Sequence, residues 1–242
     1  ATPEVQLLSN GRYHVMVTNA GGGSSRWKDL AVTRWREDPT CDNWGTFCYI
    51  REPATGACWS NAHQPTGARA DDYEAIFSEG RAEFRRRDHG IDVHTEIVVS
   101  PEDDIELRRM HVVNRSRTTR VLEFTSYTEI VMAPAASDAI HPAFSSLFVE
   151  TEIARDRQAI LCTRRPRSPD ERTPWMFHRM TAHRAPASGL SYETDRARFV
   201  GRGNTPMSPD AMRGNVPLSG SEGSVLDPVA AIRLMVTLEP KG

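Results

Sequence analysis

Residues 91–131 read IDVHTEIVVSPEDDIELRRMHVVNRSRTTRVLEFTSYTEIV, and the fold class turns on this stretch. Apolar and polar side chains alternate through 91–99, again through 105–113 and again through 121–131, the period of a β-strand with one face buried. Ser100-Pro101-Glu102-Asp103-Asp104 separates the first two runs and Asn114-Arg115-Ser116-Arg117 the next two. Both connections carry the residue types that turn a chain back on itself. A three-stranded antiparallel meander is expected from them.

Working outward, the same two-residue period recurs at 13–17, 46–51, 73–77, 143–153, 159–163, 176–183 and 232–238. No segment repeats apolar residues at i, i+3, i+4, i+7 for long enough to predict a major helix. The predicted class is all-β, a large antiparallel two-sheet sandwich, because two layers are the usual way for such strands to cover their apolar faces. With no internal repeat and no sharp change of composition, one domain over 1–242 is expected. Two stretches break the rhythm: 164–175 (RRPRSPDERTPW), charged and proline-broken, and 201–224 (GRGNTPMSPDAMRGNVPLSGSEGS), rich in Gly, Pro and Ser. Loops this long in a compact domain tend to be lids, interface arms or mobile segments.

Composition narrows the partners. With 30 basic and 32 acidic side chains the net charge is −2, which removes the positive field that non-specific nucleic-acid binding relies on. No apolar run approaches the ~18 residues of a membrane span, and 1–10 lacks the profile of a signal peptide. Neither nucleic acid nor direct membrane contact is expected. Lys28 and Lys241 are the only lysines, so arginine dominates the basic residues, a pattern that codon bias explains. Cys41, Cys48, Cys58 and Cys162 lack C-x-x-C spacing, which predicts free, mostly buried thiols in a reducing compartment rather than a zinc site. The eight histidines are scattered, and no metal constellation is expected.

The segment 10–65 is unlike an ordinary sandwich start. It holds Asn19-Ala20-Gly21-Gly22-Gly23-Ser24-Ser25-Arg26-Trp27, Arg34-Trp35-Arg36-Glu37-Asp38, Asp42-Asn43-Trp44-Gly45-Thr46-Phe47 and Trp59-Ser60-Asn61-Ala62-His63-Gln64-Pro65. Consecutive glycines permit positive φ and close approach of the backbone to a ligand or another chain. There is no G-x-x-x-x-G-K-[ST] and no strand–loop–helix context, so the glycines do not read as a phosphate loop. Tryptophans interleaved with Arg, Asp and Asn suit a sugar, whose C–H face lies on an indole while planar polar groups meet its hydroxyls. Ordinary packing is the competing account: large aromatics are more often core, and the arginines would then be solvated partners of Asp29, Asp38 and Asp42. The ligand-facing candidates are Asn19, Gly22, Arg26, Trp27, Trp35, Arg36, Asp38 and Trp44, with Trp59 and Gln64 as a second tier. No catalytic and no metal-ligating residue is assigned.

The stretch NAGGGSSRWKDLAVTRWREDPTCDNWGTFCYIRE…GACWSNAHQP resembles the N-terminal region of glycoside hydrolase family 94, the inverting disaccharide and oligosaccharide phosphorylases. Further matches are SPEDDIELRRMHVVNRSRTTRVLEFTSYTEIV, HPAFSSLFVETE, ETDRARFVGRGNTP and LSGSEGSVLDPVAAIR, so the resemblance covers essentially the whole chain. Within the family it looks most like the phosphorylase-like part of bacterial cyclic β-1,2-glucan synthases. The resemblance implies a galactose-mutarotase-like β-supersandwich that is one part of a larger enzyme. The general-acid aspartate and phosphate site would then belong to a helical α/α toroid elsewhere in the parent, with inorganic phosphate as the parent's co-substrate and no cofactor in this domain. The chain alone is expected to be inactive, since an inverting phosphorylase needs one carboxylic acid and that acid lies in the other part. Expected partners are a β-linked glucan, the toroid and a second copy in a homodimer, since an incomplete sheet would expose a strand edge. The expected location is the cytoplasmic side, with the parent attached to the inner membrane in one version. A purely architectural role, supporting the toroid without touching sugar, is the alternative. Three positions depart from the family pattern: Ser24 and His63 stand where tyrosine is usual, and Arg51-Glu52 replaces an Arg-Asp pair.

Overall fold

The computed structural model describes residues 2–240 apart from 39, 167, 169, 172, 185 and 186, so three positions of the proline-broken stretch 164–175 lie outside it. Six strands open the chain: β1 (Val5–Ser9), β2 (Tyr13–Thr18), β3 (Gly23–Trp27), β4 (Leu30–Thr33), β5 (Phe47–Arg51) and β6 (Cys58–Ser60). β7 (Asp72–Ser78), β8 (Arg81–Asp88), β9 (Ile91–Val99) and β10 (Glu106–Asn114) form a separate four-stranded antiparallel sheet. β11 (Arg120–Pro134) leads into two short helices, α1 (Ala135–Ile140) and α2 (Pro142–Ser146). A third sheet comprises β12 (Val149–Ala154), β13 (Ala159–Arg164) and β14 (Met176–Arg179). β15 (Ala187–Asp195), α3 (Arg196–Val200) and β16 (Pro228–Leu238) complete the chain.

β11 is the spine. Its first part lies between β5 and β16, and its last part pairs with β4, giving the order β1-β2-β3-β4-β11-β16-β15 in a nine-stranded sheet. The class is all-β and antiparallel as expected, but the strands divide among three hydrogen-bonded sheets rather than two.

Strand β11 is buried on both faces. Leu122 and Phe124 pack on Ile91 and Val93 of the four-stranded sheet, while Ile130 and Met132 pack on Val149, Ile153, Ile160 and Cys162 of the small one. The odd positions face the other way, where Tyr127 meets Phe199 of α3 at 4.6 Å between ring centroids. Glu123, Thr125 and Glu129, which alternation alone would leave to solvent, are 5%, 0% and 4% exposed. Arg34 and Arg196 cover Glu129, whereas Arg51 and Arg233 tie the Glu123 and Thr125 end to the glycine- and proline-rich segment after α3. Arg233 on β16 donates to the carbonyls of Ala211 and Val216, and Tyr49 donates to that of Pro206, so this loop lies against the sheet by its own backbone.

Three expectations are corrected. The turn at 100–105 closes the β9–β10 hairpin, but Asn114 to Arg117 does not return the chain to β10. The Asn114 side chain accepts from Ser116 and donates to the carbonyls of Thr118 and Leu238, so the chain crosses to β16 and starts a different sheet. The predicted strand 143–153 forms only from 149. Pro142 occupies the first turn of α2, where a missing N–H costs nothing, and the buried Ser145 and Ser146 sit on that helix. The strand predicted over 176–183 likewise stops at Arg179. All four cysteines are free thiols. Among the described residues no helix is long and apolar enough to cross a membrane.

Candidate functional site

The glycine run is the turn between β2 and β3, and its close approach is to its own chain. Gly21, at φ +92°, has Ala62 where a side chain would stand, 2.3 Å from an ideal Cβ; Gly22 has the Asp42 carboxylate at 2.1 Å. Gly23 starts β3 rather than extending a loop, and a Cβ there would meet the Met16 carbonyl at 1.9 Å. All three are buried. Asp42 accepts from the Thr18 hydroxyl, which itself accepts from the Gly22 N–H at 3.0 Å. Burial raises the Asp42 carboxyl above its ordinary value, and the Thr18 bond opposes the rise. The Gly23 N–H donates to the Trp44 carbonyl (2.7 Å) and the Gln64 N–H to that of Ala20 (2.8 Å). Asn19 donates to the Thr2 carbonyl and accepts at its own carbonyl from Tyr73. Thus Asn19, Gly22, Trp44 and Gln64 are brought together, with Asp42 among them.

The Arg34-Trp35-Arg36 tripeptide alternates as an extended chain must. Arg34 points inward, 6% exposed, and its guanidinium donates to Glu129 and Asp227 at 3.0 Å, to Asp138 at 3.2 Å and to Ser146 at 3.0 Å. Arg196 completes the group with a 2.7 Å bond to Glu129. Burial alone would lower the Arg34 guanidinium, but Asp138, Glu129 and Asp227 hold it above its ordinary value. Arg36 also reaches Asp138, at 3.4 Å, and lies over the Trp44 ring, 6.0 Å from its centroid. Trp35 between them is 41% exposed. Ile140, Phe144 and Leu147 of the adjoining helical segment are exposed as well. Beside this cluster the β4–β11 register shifts between Ile130 and Ala133, with Met132 at φ +53°. A non-glycine residue keeps such a conformation only where its surroundings over-determine it.

The remaining candidates stand apart. Trp27 is half-buried against the cluster around Ile130, its indole N–H donates to Asp104 at 2.6 Å, and Lys28 lies over its ring. Asp104 is lowered by Arg12 first and by Trp27. Arg26 is an exposed neighbour paired with Asp29 at 3.5 Å. Asp38 is exposed and closes a local turn on Thr40. Trp59 is 1% exposed, inside the core under the four-stranded sheet with its ring 5.4 Å from that of His89. Packing therefore accounts for Trp59, and the Arg26–Asp29 pair forms. Arg34 and Arg36, however, find acids well beyond Asp38 and Asp42. Asp138 on α1, Arg196 at the start of α3 and Asp227 ahead of β16 have no local signal in the sequence; only Glu129 has one, as an acid inside the otherwise apolar pattern of β11.

The sequence model described as the glycosyl hydrolase 94 supersandwich domain matches residues 1–242. The chain belongs to this family. A cyclic beta-(1,2)-glucan synthase, NdvB of Rhizobium meliloti strain 1021, is 37% identical over 233 residues, covering 96% of this chain and 8% of that protein. N,N'-diacetylchitobiose phosphorylases of Vibrio furnissii and Vibrio proteolyticus are 26% and 23% identical over 141 residues, covering 56% of this chain and 18% of theirs. The chain thus spans less than a fifth of the length of these relatives. In this supersandwich the three departures from the family pattern occupy dissimilar places: Ser24 is half-buried opposite Met16, and His63 is exposed. Arg51 and Glu52 are buried but not with each other, since Arg51 bonds Glu123 and Glu52 bonds Arg120 and Thr55.

Proposed function

We propose that this supersandwich is a non-catalytic accessory domain of a β-glucan-processing parent, phosphorylase-like or a cyclic β-1,2-glucan synthase, acting on the cytoplasmic side. In this reading it presents the face around Trp35, Arg36 and Trp44 to the parent's catalytic toroid and its β-linked glucan. The observation that carries the reading is Trp35: an indole held outward at 41% exposure while the arginines on either side are tied to Asp138. Ordering an exposed aromatic through a buried ion cluster is a cost that a binding face offsets and a solvated surface does not. The exposed Ile140, Phe144 and Leu147 provide apolar area for the neighbouring body. Trp35→Ala in the parent enzyme is expected to lower glucan turnover or affinity with the domain's thermal unfolding unchanged, and unchanged turnover would defeat the reading.

The architectural alternative has its own support. Arg34, Arg36 and the Trp27 indole have their donors engaged within the domain, leaving fewer polar groups for sugar hydroxyls. Calorimetric titration of the chain with a short β-1,2-linked glucan separates the two: heats lost in Trp35→Ala support sugar contact, and a flat titration supports architecture.

A further inference from the structure

The proline-broken stretch 164–175 ends on Trp175, and strand alternation resumes there: Trp175, Phe177 and Arg179 share one parity, Met176 and His178 the other. The even residues face inward. Met176 packs on the core around Ile130, and His178 lies against Ser126 of β11. The odd ones are therefore held on the outer face of the three-stranded sheet. Trp175 is 64% exposed and Phe177 56%. The Thr163 hydroxyl donates to the Pro174 carbonyl at 3.2 Å, which ties the chain to β13 just ahead of Trp175.

Register builds the rest of this surface. Glu152 of β12, Leu161 of β13 and Phe177 of β14 lie side by side in one row, with Arg179 one step along β14 on the same face. The two rings are bare. Lys28 lies over Trp27 and Arg36 over Trp44, whereas no ring or cation lies over Trp175 or Phe177 among the described residues. Glu152 and Arg179 likewise have no ion pair or side-chain hydrogen bond among the described residues. Two residues along a strand set the Cα atoms of Trp175 and Phe177 about 7 Å apart, so the rings form a ladder rather than a cluster. Open aromatic faces rimmed by unpaired polar groups mark a place where another molecule lies.

We propose that the outer face of β13 and β14 is a saccharide platform separate from the Trp35 face, on which a neutral linear oligosaccharide lays its C–H surfaces along Trp175 and Phe177 while Glu152 and Arg179 accept from and donate to its hydroxyls. Size argues against a protein partner. The two rings expose on the order of 250 Å² together, against about 800 Å² that each side of a stable protein interface buries, and unpaired charges stand within the platform, where an interface core has few. Nucleotide bases stack on rings as well, but Glu150 and Glu152 share this face with Arg165 and Arg179, so no positive field receives a phosphate. A carboxylate and a guanidinium together suit vicinal hydroxyls. The choice of glucan as the saccharide rests on the reading of a glucan-processing parent; the platform itself does not require the Trp35 face to bind sugar.

Hydroxyl-radical footprinting of the chain, with and without a short linear β-1,2-linked glucan, tests it. Trp175 and Phe177 are expected to be oxidised readily in the free chain and to lose that reactivity with glucan. Trp175→Ala and Phe177→Ala should each weaken glucan affinity about tenfold, while Phe177→Tyr, which keeps the ring, should hold it within about twofold. Thermal unfolding of Trp175→Ala should be unchanged, because the ring is exposed. No glucan protection at Trp175 and Phe177, or unaltered affinity in both alanine variants, would overturn the proposal. Protection at Trp35 alone would overturn it while leaving the Trp35 face standing, and protection at Trp175 and Phe177 alone would support the platform without that face. Low reactivity in the free chain that rises on dilution would assign the surface to a second copy, and low reactivity in the intact parent without glucan would assign it to the parent's own body; either would overturn the saccharide assignment.

Discussion

Two buried charge clusters hang from the same face of β11, and they are built on different principles. At the Glu129 end, Arg34, Arg36 and Arg196 meet Glu129, Asp138 and Asp227, so guanidiniums and carboxylates are matched. At the Glu123 end, Arg51 and Arg233 share one carboxylate. Their other donors go to neutral oxygens, Asn215 Oδ1, Thr125 Oγ1 and the carbonyls of Ala211 and Val216. The titration directions follow. Arg34 is held above its ordinary value, while burial first and Arg51 as well push Arg233 below it. A matched hub can fix side chains on separate elements, here α1 and the Trp35 segment. A donor-rich anchor instead holds the backbone of a loop.

If the distinction is real, Arg34→Met should be the most damaging change, costing about 3–5 kcal/mol in urea unfolding because Glu129 and Asp138 stay buried with too few partners. Exchange protection of α1 and α2 should fall with it. Arg233→Met should cost less, about 2 kcal/mol, since Glu123 keeps Arg51 and only neutral acceptors are released. Equal losses would erase the contrast between the clusters.

The even-numbered face of β11 supplies a pH test. His178 Nε2 lies 2.8 Å from the Ser126 hydroxyl, and burial pushes the imidazole down to about 4. A base depressed in the folded state favours folding while neutral, so between its unfolded value near 6.5 and about 4 the unfolded chain binds more protons and stability falls as pH falls. A loss on the order of 2 kcal/mol from pH 7 to pH 4 is expected, and His178→Gln should flatten that part of the profile. A profile unchanged by the substitution would assign the acid sensitivity to other groups. Trp35→Ala marks the small end of the scale, with stability within about 0.5 kcal/mol of the parent sequence, as for a surface residue that packs on nothing essential. A larger loss would mean that Trp35 belongs to the hub structurally, weakening the case for a binding face.

Legibility differed between strands for local reasons. The run 91–99 appears as read, and 13–17 gains one residue, because each alternates cleanly over a buried face. β8 has no legible strand period because Arg85, Arg86 and Arg87 interrupt it, although Arg86 is buried by its bonds to Asp88 and to the carbonyls of Ala62 and Ala68. β3 and β4 are short, and β3 is polar, so neither carries a two-residue apolar period long enough to read as a strand. Of the candidate residues, Asn19, Gly22, Trp44 and Gln64 converge, whereas Trp59 enters the core and Arg26 and Trp27 lie apart.

Strand identity and antiparallel class were therefore written in the chain, since a two-residue apolar period declares a half-buried strand without reference to distant residues. The use of the polar half of that period was settled only on folding. Glu129 is an ordinary solvent-facing residue in the sequence, and becomes a buried partner because Arg34, 95 positions away, is delivered to it by β4 pairing along the end of β11. A carboxylate's surroundings depend on which charges the topology brings within reach, and no local pattern carries that information.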